Sequence, residues 1–167
     1  MAVSELIRTK RAVRQFTAEP LPEEAIRSIL NAGRRAQSSK NTQPWHFIAI
    51  RDKVTLQQLS QCGEYAGHLV GAPFAVALIA STDDSFDLGQ AAAYMQLAAW
   101  ELGIGSCIAS MWEPEKAKAI LGVPHDQHVD VAIAFGYPLP GREQSHRPKP
   151  NGRKPFDEVV FRERWGG

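Results

Sequence analysis

Apolar positions recur along this chain with two periods, and the alternation between the two outlines a fold of helices and strands. Ser4 is placed to cap a short helix that runs through Leu6 and Ile7 toward Lys10. From Pro22 to Ala36, the residues Ile26, Ile29, Leu30 and Gly33 follow the i, i+3, i+4, i+7 stripe of a helix with one buried face. Pro22 suits the first helical position, and Glu23 and Glu24 fall where the helix dipole favours negative charge. A polar loop, Gln37 to Pro44, leads into a strand from His46 to Arg51 and then a helix over residues 53–62, with Leu56 and Leu59 on one face.

Beyond Pro73 the pattern changes. The run FAVALIA is continuously apolar and bounded by turn signals, as expected of a central strand covered on both faces. Asp87 to Leu102 reads as a helix that is apolar nearly all round, the signature of burial, often against a second copy of itself. Gly103 ends it before a strand near Ser106 to Ser110. A short amphipathic helix, Glu113 to Leu121, closes at Gly122, and a last strand covers Val129 to Tyr137. The order of elements predicts an α/β (α+β sandwich) fold. Its central mixed sheet has four to five strands flanked by helices, in one domain over residues 1–167. Residues 138–167 form an extended C-terminal arm. That arm is rich in Pro, Gly and basic residues until Phe156, Val159, Val160, Phe161 and Trp165, which need a surface to dock on.

Composition narrows the partners. With 19 basic and 18 acidic residues the net charge is +1, so nothing draws the chain as a whole to nucleic acid or an anionic membrane. The longest apolar stretch is too short for a bilayer span, which needs about 20 residues. Cys62 and Cys107 lack metal-ligand spacing and form no disulfide framework, so a reducing cytoplasm is the expected location.

Four segments could carry chemistry. Lys10-Arg11-Ala12-Val13-Arg14-Gln15-Phe16 gathers three cations into a solvated basic turn, the reading that pattern alone favours, or into an anion site. Ser38-Ser39-Lys40-Asn41-Thr42-Gln43 offers donors and acceptors for a polyol or a heterocycle edge, or is a polar loop with capping serines. Gly103 to Trp112 places small residues where a flat ligand can approach the backbone, or makes a tight helix-to-strand turn. Arg153-Lys154 is either a late cation pair or part of a basic tail.

In this order, the segments resemble the nitroreductase family of flavoproteins over nearly the whole chain. Lys10 to Phe16 is similar to the family's R-R-S-x-R-x-F, and Gln37 to Phe47 matches P-S-S-x-N-x-Q-P-W-x-F at all but its first position. Glu101 to Cys107, Phe135 to Pro138 and Arg153 to Val160 complete the likeness. The resemblance implies FMN as cofactor and NADH or NADPH as donor. It also implies ping-pong reduction of nitroaromatic, quinone or related acceptors, and a homodimer whose C-terminal arm is swapped onto the partner. It places Lys10 or Arg11, with Arg153, at the FMN phosphate, Ala12 beside them and Arg14 near the pyrimidine edge of the flavin. Ser38, Ser39, Asn41 and Gln43 would come largely from the partner subunit. The backbone of Ile108, Ala109, Ser110 and Met111 would face the ring, with an amide near Ser110 offered to flavin N5. Trp45, His68 and Trp112 would shape the pocket, although packing explains Trp45 as well.

Two departures stand out. Ala12 lies where the family usually has serine, and Lys10 exchanges a guanidinium fork for a point charge. No side-chain acid or base is nominated, no metal is expected, and there is no G-x-G-x-x-G nicotinamide fingerprint. The chain also lacks the helical insertion of larger members, implying an open pocket and broad acceptor tolerance. A specialised branch (dehalogenating or flavin-cleaving), a flavin carrier or sensor without turnover, and a plain interaction domain are the competing readings.

Overall fold

The computed structural model describes residues 2–81, 85–141 and 152–166. Four strands, β1 (Trp45–Ile50), β2 (Phe74–Ala80), β3 (Gly105–Ser110) and β4 (His128–Gly136), form one sheet in the order β1-β2-β4-β3. Every strand pair is antiparallel, so the expected mixed sheet narrows to parallel pairing at a single bridge between Ala12 and Ser106. The continuous apolar run of β2 arises because helices cover both its faces, and all seven of its residues are buried.

Side chains alternate along the strands and divide the core in two. Phe74, Val76 and Leu78, with Ile133 and Phe135 of β4, face α2 (Glu23–Arg34) and α4 (Ser85–Glu101). Phe74 and Phe135 stand opposite each other with ring centroids 5.9 Å apart. Each is fully buried, a gain of about 1.5–3 kcal/mol per side chain. On the other face Ala75, Ala77, Ala132 and Ala134 meet Leu56 and Leu59 of α3 (Lys53–Leu59) and Ala117 of α5 (Pro114–Leu121). Gly122 ends α5 in the left-handed conformation (φ 65°), as its place after Leu121 predicts.

Two helix starts differ from expectation. The first helix, α1 (Val3–Thr9), begins two residues earlier, with Ala2 rather than Ser4 at the N-cap. The Ala2 carbonyl already accepts from the Glu5 and Leu6 amides, at 3.0 and 3.1 Å, so Ser4 lies inside the helix. Pro22 is the N-cap of α2 rather than its first residue, because its ψ of 145° is extended.

The long helix α4 is not buried all round. Asp87, Ala91, Ala92, Met95, Gln96 and Ala99 face inward, while Phe86 is 80% exposed and Ala93 and Tyr94 are also exposed. At the C-terminal end the short helix α6 (Phe156–Val159) and its neighbours leave Phe156, Val159, Val160, Phe161 and Trp165 exposed. None of the described helices is long and apolar enough to cross a membrane.

Candidate functional site

The cation segment is built against the free edge of β3. Lys10 is the C-cap of α1, and the Arg11 guanidinium turns back to donate to the Arg8 and Lys10 carbonyls, at 2.7 and 2.9 Å. The chain then extends: Val13 N–H donates to the Ser106 carbonyl at 3.0 Å, and Thr17 N–H to Tyr137 O at 2.9 Å. Val13 is fully buried, so the period-two alternation turns Arg14 outward. Of the three expected cations, Lys10 and Arg14 are therefore open to a ligand, whereas Arg11 already caps a helix.

His68, on the 3-10 turn Gly67–Leu69, completes this group. Its Nε2 lies 3.3 Å from the Cys107 carbonyl and its Nδ1 3.1 Å from the Tyr65 carbonyl. Burial pushes the His68 pKa below its ordinary value, and Arg14 pushes the same way, against the two carbonyl contacts. Burial also lowers the Lys10 pKa and raises that of the Cys107 thiol, while Arg14 and Lys10 pull the thiol back down. Among the described residues no carboxylate pairs with Lys10 or Arg14. A half-buried ammonium that has lost water and gained no carboxylate is suited to a ligand that brings its own negative charge.

Along β3 the side chains alternate again. Ala109 and Met111 enter the α3–α5 core, Ser110 is exposed, and Ile108 is 44% exposed. Of this quartet only Ile108 and Ser110 present side chains outward. The Met111 amide is committed to the Asp130 carbonyl at 2.8 Å. Ile108 also borders a cavity of about 250 Å³ between the first turns of α4 and the sheet. Trp112, just past the strand, meets Tyr65 edge-on at 6.0 Å, and both rings are mostly exposed.

The polar loop lies elsewhere. Ser39–Asn41 form a single 3-10 turn, and Lys40, Asn41 and Gln43 all have positive φ, at 50°, 55° and 50°. The Gln43 amide donates to Ser38 Oγ at 2.9 Å, and the Ser39 amide to Asp87 Oδ2 at 3.0 Å. Trp45 is buried and stacks on Phe47 with centroids 6.4 Å apart, which gives it a packing role.

The helix α4 measures the gap between the two halves. Asp87 in its first turn holds the loop. Trp100 near its end donates from Nε1 to Thr9 Oγ1, one residue before Lys10, at 3.1 Å. Asp87 and Trp100 are thirteen positions apart, which at a rise of about 1.5 Å each is roughly 20 Å. Strand order agrees, because β1, entered from the loop, and β3 occupy opposite edges of the sheet. Within one chain the structure thus joins Lys10, Ala12 and Arg14 to β3 but keeps Ser38, Ser39, Asn41 and Gln43 apart from them. Arg153 is exposed on the C-terminal segment, with no described hydrogen bond or ion pair to the Lys10 group.

Comparison with known proteins identifies the family and the fold. The family model described as "Nitroreductase family" matches residues 7–63 and 65–137. An NADH dehydrogenase of Thermus thermophilus is 27% identical over 193 residues, covering 91% of each chain. The structure of an FMN-dependent nitroreductase from Clostridium difficile superposes with a TM-score of 0.77 at 28% identity, covering 97% of this chain and 98% of that one. Nitroreductase A of Vibrio parahaemolyticus, 21% identical over 98% of this chain and 77% of its own, shares the fold with a TM-score of 0.87.

Proposed function

This chain belongs to the nitroreductase family, and from that premise we propose that it is an FMN-dependent oxidoreductase. It takes hydride from NADH or NADPH and passes electrons to nitroaromatic, quinone or related acceptors in ping-pong fashion. FMN, when bound, supplies the two-electron chemistry. The observation that carries the reading is the pair of cations, Lys10 and Arg14, that no carboxylate pairs among the described residues, against the open edge of β3. Lys10 is the residue to meet the phosphate, joined by Arg153 if the C-terminal segment folds over. Arg14 offsets the charge that builds on the ring as it is reduced.

The other half of the site comes from a second copy. Two α4 helices packed antiparallel about a two-fold axis set the Asp87 end of one beside the Trp100 end of the other. That arrangement brings Ser38, Ser39, Asn41 and Gln43 of the partner subunit to Lys10 and Arg14. It also covers the exposed Phe86, Ala93 and Tyr94 face, and the C-terminal arm with its uncovered Phe156 to Trp165 reaches across to the partner. A homodimer with two shared flavin sites follows.

An absorbance spectrum of the purified protein, recorded without oxygen before and after NADPH and then NADH, tests the chemistry. Flavin bands that either donor bleaches support it, and a colourless protein that takes up no added FMN overturns it. Sharing is tested by coexpressing Arg14→Ala and Asn41→Ala chains under different tags. Each homodimer binds FMN poorly, whereas the mixed dimer recovers one full site. Mixed dimers no better than their parents overturn the shared site.

A further inference from the structure

The loop Ser38–Gln43 has a strained backbone. Three of its non-glycine residues, Lys40, Asn41 and Gln43, sit in the left-handed region within four positions. Asparagine tolerates that region, but lysine and glutamine adopt it at a cost, and such residues persist only where their surroundings over-determine them. Most of the loop's hydrogen bonds stay inside it. The Asn41 amide donates to Ser38 O at 3.0 Å, Thr42 to Ser39 O at 3.0 Å, and Gln43 to Ser38 Oγ at 2.9 Å. All three converge on Ser38 and Ser39, so whatever fixes that pair fixes the whole loop.

One described hydrogen bond of Ser38–Gln43 leaves the loop, from the Ser39 amide to Asp87 Oδ2, 48 positions away. Asp87 is 6% exposed, and its other oxygen meets Gln90 Nε2 at 3.4 Å. It lies in the first turn of α4, where free amides and the helix dipole accommodate a carboxylate that no described cation pairs. The same helix reaches the Lys10 segment at its far end through Trp100 and Thr9. We infer that Asp87 is a positioning residue: through the Ser39 amide it pins the strained loop Ser38–Gln43 to α4 in the one conformation that can meet a cofactor held by Lys10 and Arg14. The cofactor part rests on the function proposed above; the pin stands on geometry alone.

The two parts have separate readouts. Lys40 is exposed, so cleavage of the Lys40–Asn41 bond by a lysine-specific protease reports loop release in protein stripped of flavin. In Asp87→Ala this bond is cut about tenfold faster or more, the loss expected for one charge-assisted hydrogen bond, while cleavage after Lys116 and Lys118 on α5 is unchanged. Asp87→Asn retains an acceptor for the Ser39 amide and stays close to wild type. Quenching of added FMN's fluorescence then shows tenfold or weaker binding for Asp87→Ala, and rescue by Asp87→Asn. Unchanged cleavage at Lys40 in Asp87→Ala overturns the pin. Equal acceleration at all three lysines, or failure of Asp87→Asn to rescue, reduces Asp87 to general stability and overturns it too. A released loop with unaltered FMN affinity overturns the positioning role. If the wild type takes up no FMN, the flavin reading falls with the cofactor part, and the cleavage rates still decide the pin.

Discussion

The Lys10–Arg14 segment and the Ser38–Gln43 loop are both short and polar, and both serve one cofactor in the proposed function, yet the fold holds them by different means. The first is braced by the core: Val13 is fully buried, Ala12 bridges to Ser106, and the neighbouring Phe16 bridges to Pro138. The second has mostly exposed side chains, a left-handed backbone at three positions, and a tie to Asp87. In consequence the cations keep their geometry in an isolated chain, because folding itself fixes them. The loop carries strain that only its anchor, and in the proposed dimer a second subunit, offsets.

The largest way to break this contrast is at the braced half. Gly105 opens β3 against Val13, and a Cβ added there would lie 2.6 Å from Val13 Cβ and 2.7 and 2.9 Å from its two methyls. Val13 is buried and β-branched, so it has little freedom to yield. Gly105→Ala should destabilise the protein by roughly 1–3 kcal/mol in urea unfolding, the usual cost of overpacking. Combining it with Val13→Ala should recover part of that loss, since two of the three clashing atoms are the valine methyls. Losses that simply add would show that the contact does not brace the segment.

The strained half should respond with the opposite sign. Lys40 has φ 50° and ψ 21°, which glycine adopts without penalty. Lys40→Gly is expected to stabilise the fold by roughly 0.5–1 kcal/mol, read from the same unfolding curves. A destabilised variant would mean that the loop carries no strain at this position and that the contrast between the halves is one of exposure only.

Much of this was legible in the sequence, and what was hidden shares a physical cause. Strands β2, β3 and β4 lie within a residue or so of their apolar runs, because a period of two or an unbroken apolar stretch is a local signal. The antiparallel sheet was not legible: an unbroken apolar run such as FAVALIA says that both faces are covered, not which way the neighbours run. The polar loop was found by its side chains, but only Asn41 in Ser-Lys-Asn-Thr-Gln suits a left-handed backbone, and nothing marks Lys40 or Gln43 for it. Asp87 read only as the start of a helix, because its partner Ser39 is 48 positions away. Arg11 matched the motif, yet only the geometry shows its guanidinium turned back onto α1.

The smallest expected effect probes how the braced half handles charge. Burial holds the His68 pKa below the value of about 6.5 that the unfolded chain keeps, and Arg14 adds to the shift, outweighing the Tyr65 and Cys107 carbonyls. Between the folded and unfolded values the unfolded chain therefore binds more protons. Stability from this group is fully present above pH 6.5, falls as the pH drops below it, and levels off below the folded value. His68→Gln keeps a polar side chain but cannot titrate, so it should lack this acid loss. The destabilisation it causes at pH 7.5 should shrink steadily toward pH 5. Arg14→Gln removes the neighbouring like charge, so His68 should titrate closer to 6.5 and the acid loss should narrow. If urea midpoints of wild type and His68→Gln keep a constant separation from pH 7.5 to 5, burial does not hold the His68 pKa down in the folded protein. An acid loss that Arg14→Gln leaves unchanged would mean instead that burial alone sets the shift and that Arg14 does not act on His68.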